Sequence, residues 1–533
     1  MGPSRREEAQ PVDAGEPRRH PRPPLPGPYL PPRDDWERRL CEVLADCLAL
    51  ESVGIGDDLA DLGVDSLHAA RLAARLSAAI GRSVPIRALV QHRTVTLLAE
   101  ALRSADSGTP RPAALPAAAR SQSLSVAPGL RLASRPLLEL FAAGELEGVD
   151  AAAIGSLPSA LAASTGWREE RILAAGCQGQ PVLASVLETH LGRIASVLLP
   201  RFDVEVYEDP EELLRLLVAA LETASHLGAR QVSLTGILAS ACDYGRALAT
   251  RVAGRSDLPA ITTGHATTAA AVVLNLVRMV EESGRSLAHE RLCVLGLGSV
   301  GMASLRLLLR CQAHPAGIVL CDLFARRDRL EAARRELRER LGFAGEAEVA
   351  AVGSALPSEV YDSTLVLGAT NVANVLEVGR LKPGTLLVDD SAPHCFDTRA
   401  AVERFEACGD ILFSEGGLLQ APAAIGKLTH LPAELPAHLH WDVMAHNDPF
   451  SLFGCMLSAL LGARDETLQP TLGQVALADC LDHYEALQEL GFGAADPRCD
   501  DYVPAAALRE AFRRRFGRES GAGQLAGAAR ISG

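Results

Sequence analysis

The chain has 533 residues, 48% of them hydrophobic, enough to bury several cores; its length predicts roughly two to four domains. A net charge of −14 excludes nucleic acid or an anionic membrane surface as its main partner. The 12 cysteines include no C-x-x-C pair, and nothing reads as a signal peptide or a bilayer-spanning run, so neither a zinc site nor a disulfide framework is expected and the cytoplasm is the expected compartment.

Residues 1–33 are rich in Pro and Arg without an apolar period, which predicts a disordered leader. From 34 to 105 the character changes. Leu40, Val43, Leu44, Cys47 and Leu48 recur at helical spacing, and LGVDSL (Leu62–Leu67) stands just before an amphipathic run carrying Leu67, Leu72 and Leu76. Asp65 and Ser66 read either as a plain helix cap or as an exposed hydroxyl at a helix end that favours a phosphodiester. The stretch Asp57–Leu102 resembles the acyl carrier proteins, four-helix bundles in which the serine of D-S-L accepts 4′-phosphopantetheine. The resemblance implies Ser66 as the attachment residue and a phosphopantetheinyl transferase as a partner. The Ala, Pro and Ser of 106–125 predict a linker that lets the carrier swing.

Residues 126–265 predict an α/β substrate domain. Glu211–Leu227 has helical periodicity, whereas Val182–Val186 and Gln231–Leu234 fit either strands or helix segments. The domain closes on Thr262, Thr263, Gly264 and His265, a polar loop before a long apolar helix. That loop either caps the helix or lines the nicotinamide end of a cofactor.

Residues 266–430 predict a Rossmann domain for NAD(P). The apolar run Leu292–Leu295 leads into GLGSVG, placing Gly296, Gly298 and Gly301 in G-x-G-x-x-G spacing. Gly296 allows the tight turn, Gly298 lets the backbone approach a pyrophosphate, and Gly301 packs helix against strand. Ser299 and Val300 open the helix whose free N–H groups would face the phosphates. A second run, Ile318–Cys321, ends at Asp322, an acid placed for a ribose; Arg326 and Arg327 stand close behind it, suited to a 2′-phosphate. Asp322 favours NADH and the arginines NADPH, so both cofactors stay open. Apolar runs then lead into Gly368–Asn371, Asp389–His394 and Ser414–Gly417, with Thr370 and Asn371 expected at the nicotinamide ribose. Asp389 and Asp390 lack further ligands at useful spacing, so a loop beside the cofactor is expected there and no metal.

Residues 431–516 predict a helical region in which Asp448 and Pro449 start a helix that contains Cys455; residues 517–533 predict a disordered tail. The expected fold class is therefore α/β: a doubly wound parallel sheet, a preceding α/β domain, C-terminal helices and an N-terminal carrier bundle.

In order, TTGHATTAA, GLGSVG, LKPGTLLVDDSAP, SEGG and HWDV…PFSLFGCMLSALLGA resemble the long-chain acyl-[acyl-carrier-protein] reductases of cyanobacteria, over about Val204–Gly462. The resemblance implies reduction of an acyl thioester to an aldehyde with NADPH, and a nucleophilic cysteine at the position of Cys455. Two features depart from the family: its usual turn is G-A-T-G-D-I-G, and its members are normally free-standing. A cysteine nucleophile splits thioester reduction into acyl transfer and hydride delivery. His265, His440 and His446 are the candidate bases, among which sequence does not choose. Without the resemblance Cys455 reads as an ordinary buried cysteine. The Tyr-x-x-x-Lys route is excluded, because no tyrosine has a lysine four residues on. Two other readings stand beside the reductase: an NAD(P)-dependent dehydrogenase acting on a carrier-bound keto, hydroxy or imino acid, and a carrier or docking protein with an inactive Rossmann domain.

Overall fold

The computed structural model describes residues 19–25, 27–64, 66–81, 84, 88–89, 92–104, 129–159, 161–162, 167–323, 327–352, 355–432 and 448–517. The predicted linker thus lies outside the described residues, as do the tail beyond 517, Asp65, Arg326, His440 and His446.

The N-terminal part is helical: Asp35–Cys47, Ser66–Ile80 and Val95–Ser104. Asp34 caps the first helix, its side chain accepting from the Glu37 N–H at 2.8 Å. Leu40, Leu44, Leu72, Leu76 and Leu98 form the core between these helices. Contrary to a wholly disordered leader, residues 19–25 and 27–33 pack on this unit. Arg22 pairs with Asp57 at 2.6 Å, His20 bridges to Leu50, and the Leu30 carbonyl accepts from Ile55 N–H at 2.9 Å. Backbone bonds and one well-placed arginine dock a proline-rich strip that has no apolar period of its own.

Strands β1 (Leu130–Ala133), β2 (Ala151–Leu157), β3 (Val182–Thr189), β4 (Gly192–Phe202), β5 (Gln231–Leu234) and β6 (Ala260–Thr262), with β14 (Gly426–His430), form a mixed seven-stranded sheet, ordered β1-β14-β3-β4-β2-β5-β6. Both runs that sequence left open, in β3 and β5, are therefore strands. The helix Pro210–His226, with Pro in its first turn and Asp209 accepting from Glu212 N–H, covers this sheet with Leu213, Leu216, Leu217 and Leu221.

The second sheet is all parallel and six-stranded: β7 (Arg291–Leu295), β8 (Gly317–Asp322), β9 (Glu346–Ala351), β10 (Leu365–Gly368), β11 (Thr385–Asp389) and β12 (Ile411–Glu415), in the order β12-β11-β10-β7-β8-β9. This is the doubly wound Rossmann arrangement, and its strands other than the edge strand β9 are buried on both faces as near-continuous apolar runs.

Two elements depart from the sequence expectation. Strand β14 (Gly426–His430), inside the span read as nucleotide-binding, pairs with β1 and β3 and so completes the first sheet. The C-terminal region is not purely helical: its strands β15 (Ser451–Phe453) and β16 (Gly493–Ala494) join β13 (Leu418–Gln420), which precedes it, in a small third sheet beside the helices Gly454–Arg464, Leu477–Glu489 and Ala506–Phe516. Among the described residues no helix is long and apolar enough to cross a membrane.

Between the sheets lies the helix His265–Glu282, buried along most of its length. It packs against the helices Ser299–Cys311, Gly454–Arg464 and Leu477–Glu489. Asn275 fixes it by donating to the carbonyls of Gly416 and Leu418 at 2.8 and 2.7 Å.

Candidate active site

The glycine loop follows β7 in the way its spacing requires. Gly296 has φ +103°, and a Cβ there would lie 2.7 Å from the Ala369 carbonyl carbon. A Cβ on Gly301 would collide with the Gly296 carbonyl oxygen, so both positions need glycine for close approach. Gly298 faces open space. The helix starting at Ser299 has no side-chain cap at Gly298, which leaves its first N–H groups for a ligand; Val300 is half-buried on the core.

Asp322 at the end of β8 holds this loop: its Oδ2 accepts from the Leu297 N–H at 2.7 Å. Sequence expected the acid to serve a ribose; the structure gives it a loop-holding bond as well. Arg327 begins the next helix and is exposed, 4.0 Å from Glu331. On the neighbouring loop after β10, Thr370 N–H donates to Ser391 Oγ at 3.1 Å, and Asn371 follows, half-buried.

Thr262 and Thr263 are buried and committed inward. Thr262 Oγ1 lies 3.3 Å from Thr471 Oγ1 and accepts from Thr471 N–H; Thr263 N–H donates to the Thr471 carbonyl at 2.9 Å. Of the two sequence readings of this loop, the structure shows these threonines shaping the turn into His265. Thr471, distant in sequence, carried no signal that would have found it.

Cys455 is where sequence and structure differ most. The helix begins at Gly454, after strand β15, and not at Asp448–Pro449, because Asp448 accepts from Phe450 N–H and Ser451 Oγ in a turn that leads into β15. Cys455 thus sits in the first helical turn, where backbone N–H groups and the helix dipole favour a thiolate. Burial pushes its thiol up to about 12, and the charge of Asp390 adds to this; N–H groups of Gly236, Met456 and Cys455 itself oppose it. Gly236 lies just past β5.

The loop and the thiol meet through Gly264. Its φ is +73°, and a Cβ there would stand 3.0 Å from Cys455 Cα and 3.2 Å from Cys455 Cβ. The next residue, His265, has its Nδ1 3.0 Å from Ser299 Oγ at the start of the helix Ser299–Cys311. Burial lowers His265 to about 4, so the ring is neutral near pH 7. Tyr244 packs edge-on against it, ring centroids 5.9 Å apart. Tyr244 lay in no motif, and only the tertiary packing reveals it.

Asp390 closes the other side. A Cβ on Gly416 would lie 3.2 Å from its Cβ, and its acid is raised well above the carboxylate range by burial, then by Asp389 and Glu415. Asp389 is bonded to Ser391 N–H, His394 and Cys395 N–H.

Ser66 is the first residue of its helix. Comparison with known proteins gives this helix a context: the model of the phosphopantetheine attachment site family matches residues 38–102. This segment is a phosphopantetheine carrier domain. The carrier is 40% identical over 74 residues to part of a linear gramicidin synthase of Brevibacillus parabrevis, covering 14% of this chain and 1% of that protein. It is 42% identical over 86 residues to a probable non-canonical nonribosomal peptide synthetase, CymA, of Salinispora arenicola, covering 16% of this chain and 1% of the synthetase. The chain therefore spans about one hundredth of the length of these relatives. Among solved structures, the acyl carrier protein BlmI of Streptomyces verticillus aligns at 30% identity, covering 13% of this chain and 83% of its own, with a TM-score of 0.13. L-Tryptophan dehydrogenase from Nostoc punctiforme aligns at 14% identity over 69% of this chain and 88% of its own, with a TM-score of 0.31.

Proposed function

We propose that this chain is an NAD(P)H-dependent oxidoreductase that reduces an acyl thioester, carried on the phosphopantetheine arm of Ser66, to an aldehyde. The observation that carries this reading is the contact of Cys455 with Gly264, one residue from the His265 that hydrogen-bonds Ser299 on the glycine-loop helix. That contact supports a thiol working beside the proposed dinucleotide site.

The residues fit the cofactor: an uncapped helix N-terminus, open space at Gly298, and Asp322 at the end of β8. With Nδ1–H donating to Ser299, the other ring nitrogen of His265 takes the Cys455 proton. Sγ attacks the thioester carbonyl, and the bond to the arm's sulfur breaks. The departing thiolate takes the proton held by His265. The N–H groups that face Sγ, Gly236 among them, stabilise negative charge on it and oppose, without cancelling, the effect of burial. NAD(P)H held at the Gly296–Gly301 loop and the Ser299 helix end would supply a hydride to the acyl-Cys455 carbonyl, leaving a thiohemiacetal on Cys455. Its collapse frees the aldehyde, and Cys455 regains a proton from solvent.

The carrier's similarity to segments of nonribosomal peptide synthetases favours an aminoacyl or peptidyl group over a long fatty chain. The test is single turnover on the phosphopantetheinylated chain, loaded with an aminoacyl or a fatty acyl group and mixed with NADPH or NADH. Aldehyde from the wild type, and none from Cys455→Ala, is the expected result. Cofactor oxidation that survives in Cys455→Ala would replace this reading with a dehydrogenase acting on a carrier-bound keto, hydroxy or imino acid. No oxidation with any load would leave a carrier beside a silent nucleotide fold.

A further inference from the structure

Away from the thiol, at the ends of β11 and β12, His394, Cys499 and Asp500 bring one ligand atom each to within 4.8 Å of one another. His394 Nε2 is 3.6 Å from Cys499 Sγ and 3.4 Å from Asp500 Oδ1. An imidazolium–carboxylate bond made for its own sake would close to about 2.7–2.9 Å. A tetrahedral zinc ion, with bonds of about 2.0–2.3 Å, sets neighbouring N, S and O ligands about 3.4–3.6 Å apart. The two spacings from His394 match that pattern, and the Cys499 and Asp500 ligand atoms lie within 4.8 Å of each other.

The surroundings are built like the outer shell of such a site. His394 Nδ1 is held at 2.9 Å by Asp389 Oδ2, the carboxylate–imidazole arrangement that fixes a ligating histidine with its other nitrogen outward. Cys499 is buried, in a tight turn closed by its reciprocal backbone bonds with Tyr502. Asp500 has φ +50° there, and its N–H donates to Glu415 Oε1 at 2.7 Å. Independently, Glu415 Oε2 is buried without a hydrogen-bond partner, on a residue only 7% exposed whose charge acts on His394 and Cys499. A buried orphan acceptor calls for a donor. The Asp500 side chain is 62% exposed, so the cluster opens to solvent.

We infer that His394 Nε2, Cys499 Sγ and Asp500 Oδ1 form a binding site for a divalent cation of the zinc class, its fourth position open to a water that donates to Glu415 Oε2. Binding displaces the protons of Cys499 and of His394 Nε2 to solvent. It ties the loop after β11, which carries Asp390, to the turn at Cys499–Tyr502.

The test uses the full chain, stripped with a chelator and titrated with Zn²⁺ alone, then with Co²⁺ as a spectroscopic probe. One equivalent of tight binding is expected, with a thiolate-to-cobalt charge-transfer band that vanishes in Cys499→Ser and persists in Cys408→Ser. Asp389→Asn should weaken affinity by about 10- to 100-fold. Absence of a tight equivalent, or a band undiminished in Cys499→Ser with wild-type circular dichroism, would overturn the proposal. If Cys499→Ser does not fold, the exposed Asp500→Asn decides: unchanged affinity overturns it, and a loss of tenfold or more supports it.

Discussion

Two histidines meet the first turn of the helix His265–Glu282, and both are neutral. His265 bonds Ser299 and His483 Nδ1 lies 2.9 Å from Thr267 Oγ1; burial lowers each from 6.5 to about 4. Between these values the unfolded chain binds protons that the folded chain does not. Stability from each histidine is therefore full above pH 6.5 and lost as pH falls towards 4, at most about 3 kcal/mol apiece. Glu415 works in the opposite direction, since burial raises it to about 7 and its protonated form is the one the fold prefers. The histidine share is thus isolated by difference. His483→Gln should flatten the loss of stability between pH 6.5 and 4, read from denaturant midpoints across pH; a slope equal to wild type would show that His483 is not the group responsible. At the same scale, Gly301→Ala puts a methyl group onto the Gly296 carbonyl and should weaken dinucleotide binding at least ~10-fold, about 1.4 kcal/mol, by fluorescence titration.

Strand β7 and the helix before it are locked by a buried ion pair. Arg285 Nε donates to Glu290 Oε1 at 2.9 Å, Thr364 Oγ1 donates to Oε2 at 2.6 Å, and the side chains are 4% and 0% exposed. Glu290→Gln leaves the arginine charge uncompensated and should cost about 3–5 kcal/mol, measured by denaturant unfolding with dinucleotide binding as the local probe. Elements like β7, β8, β10, β11 and β12 were legible in sequence because parallel strands buried on both faces are short, continuous apolar runs. The glycine loop was legible for the same local reason: each glycine answers a backbone demand within its own turn. Cys455 was found by resemblance, but its helix start was misplaced, since Asp448 and Pro449 are good helix openers that here form a turn into β15. The strand β14, which returns to the first sheet from far along the chain, and Thr471, which fastens Thr262, depend on long-range pairing that no local period records. His394 and Cys499 were opaque for the same cause, being far apart in sequence and joined only by the fold.

At the scale of the whole molecule, the carrier is packed against the Rossmann-containing part. Arg93 spans the junction, bonded to Asp58 at 2.7 Å within the carrier and to the Val352 carbonyl beyond β9. A carrier held there works at a high effective concentration, which a separate carrier at micromolar levels does not match. Tethering therefore predicts a split between two kinds of substrate. Ser66→Ala should abolish aldehyde formation from the chain's own load, because no arm can be attached, while leaving reduction of a soluble acyl-pantetheine thioester at the wild-type rate. Arg93→Ala should keep both chemistries and lower only the rate from the tethered load, since the soluble thioester reaches Cys455 without the carrier. The measurement is aldehyde release from each substrate, for all three proteins, at matched cofactor concentration. Loss of the soluble reaction in Ser66→Ala would mean that the carrier helix supports the active site's structure, and the tether would then not be the cause. Equal rates from the tethered load in wild type and Arg93→Ala would show that the Arg93 contact does not set how the arm is delivered.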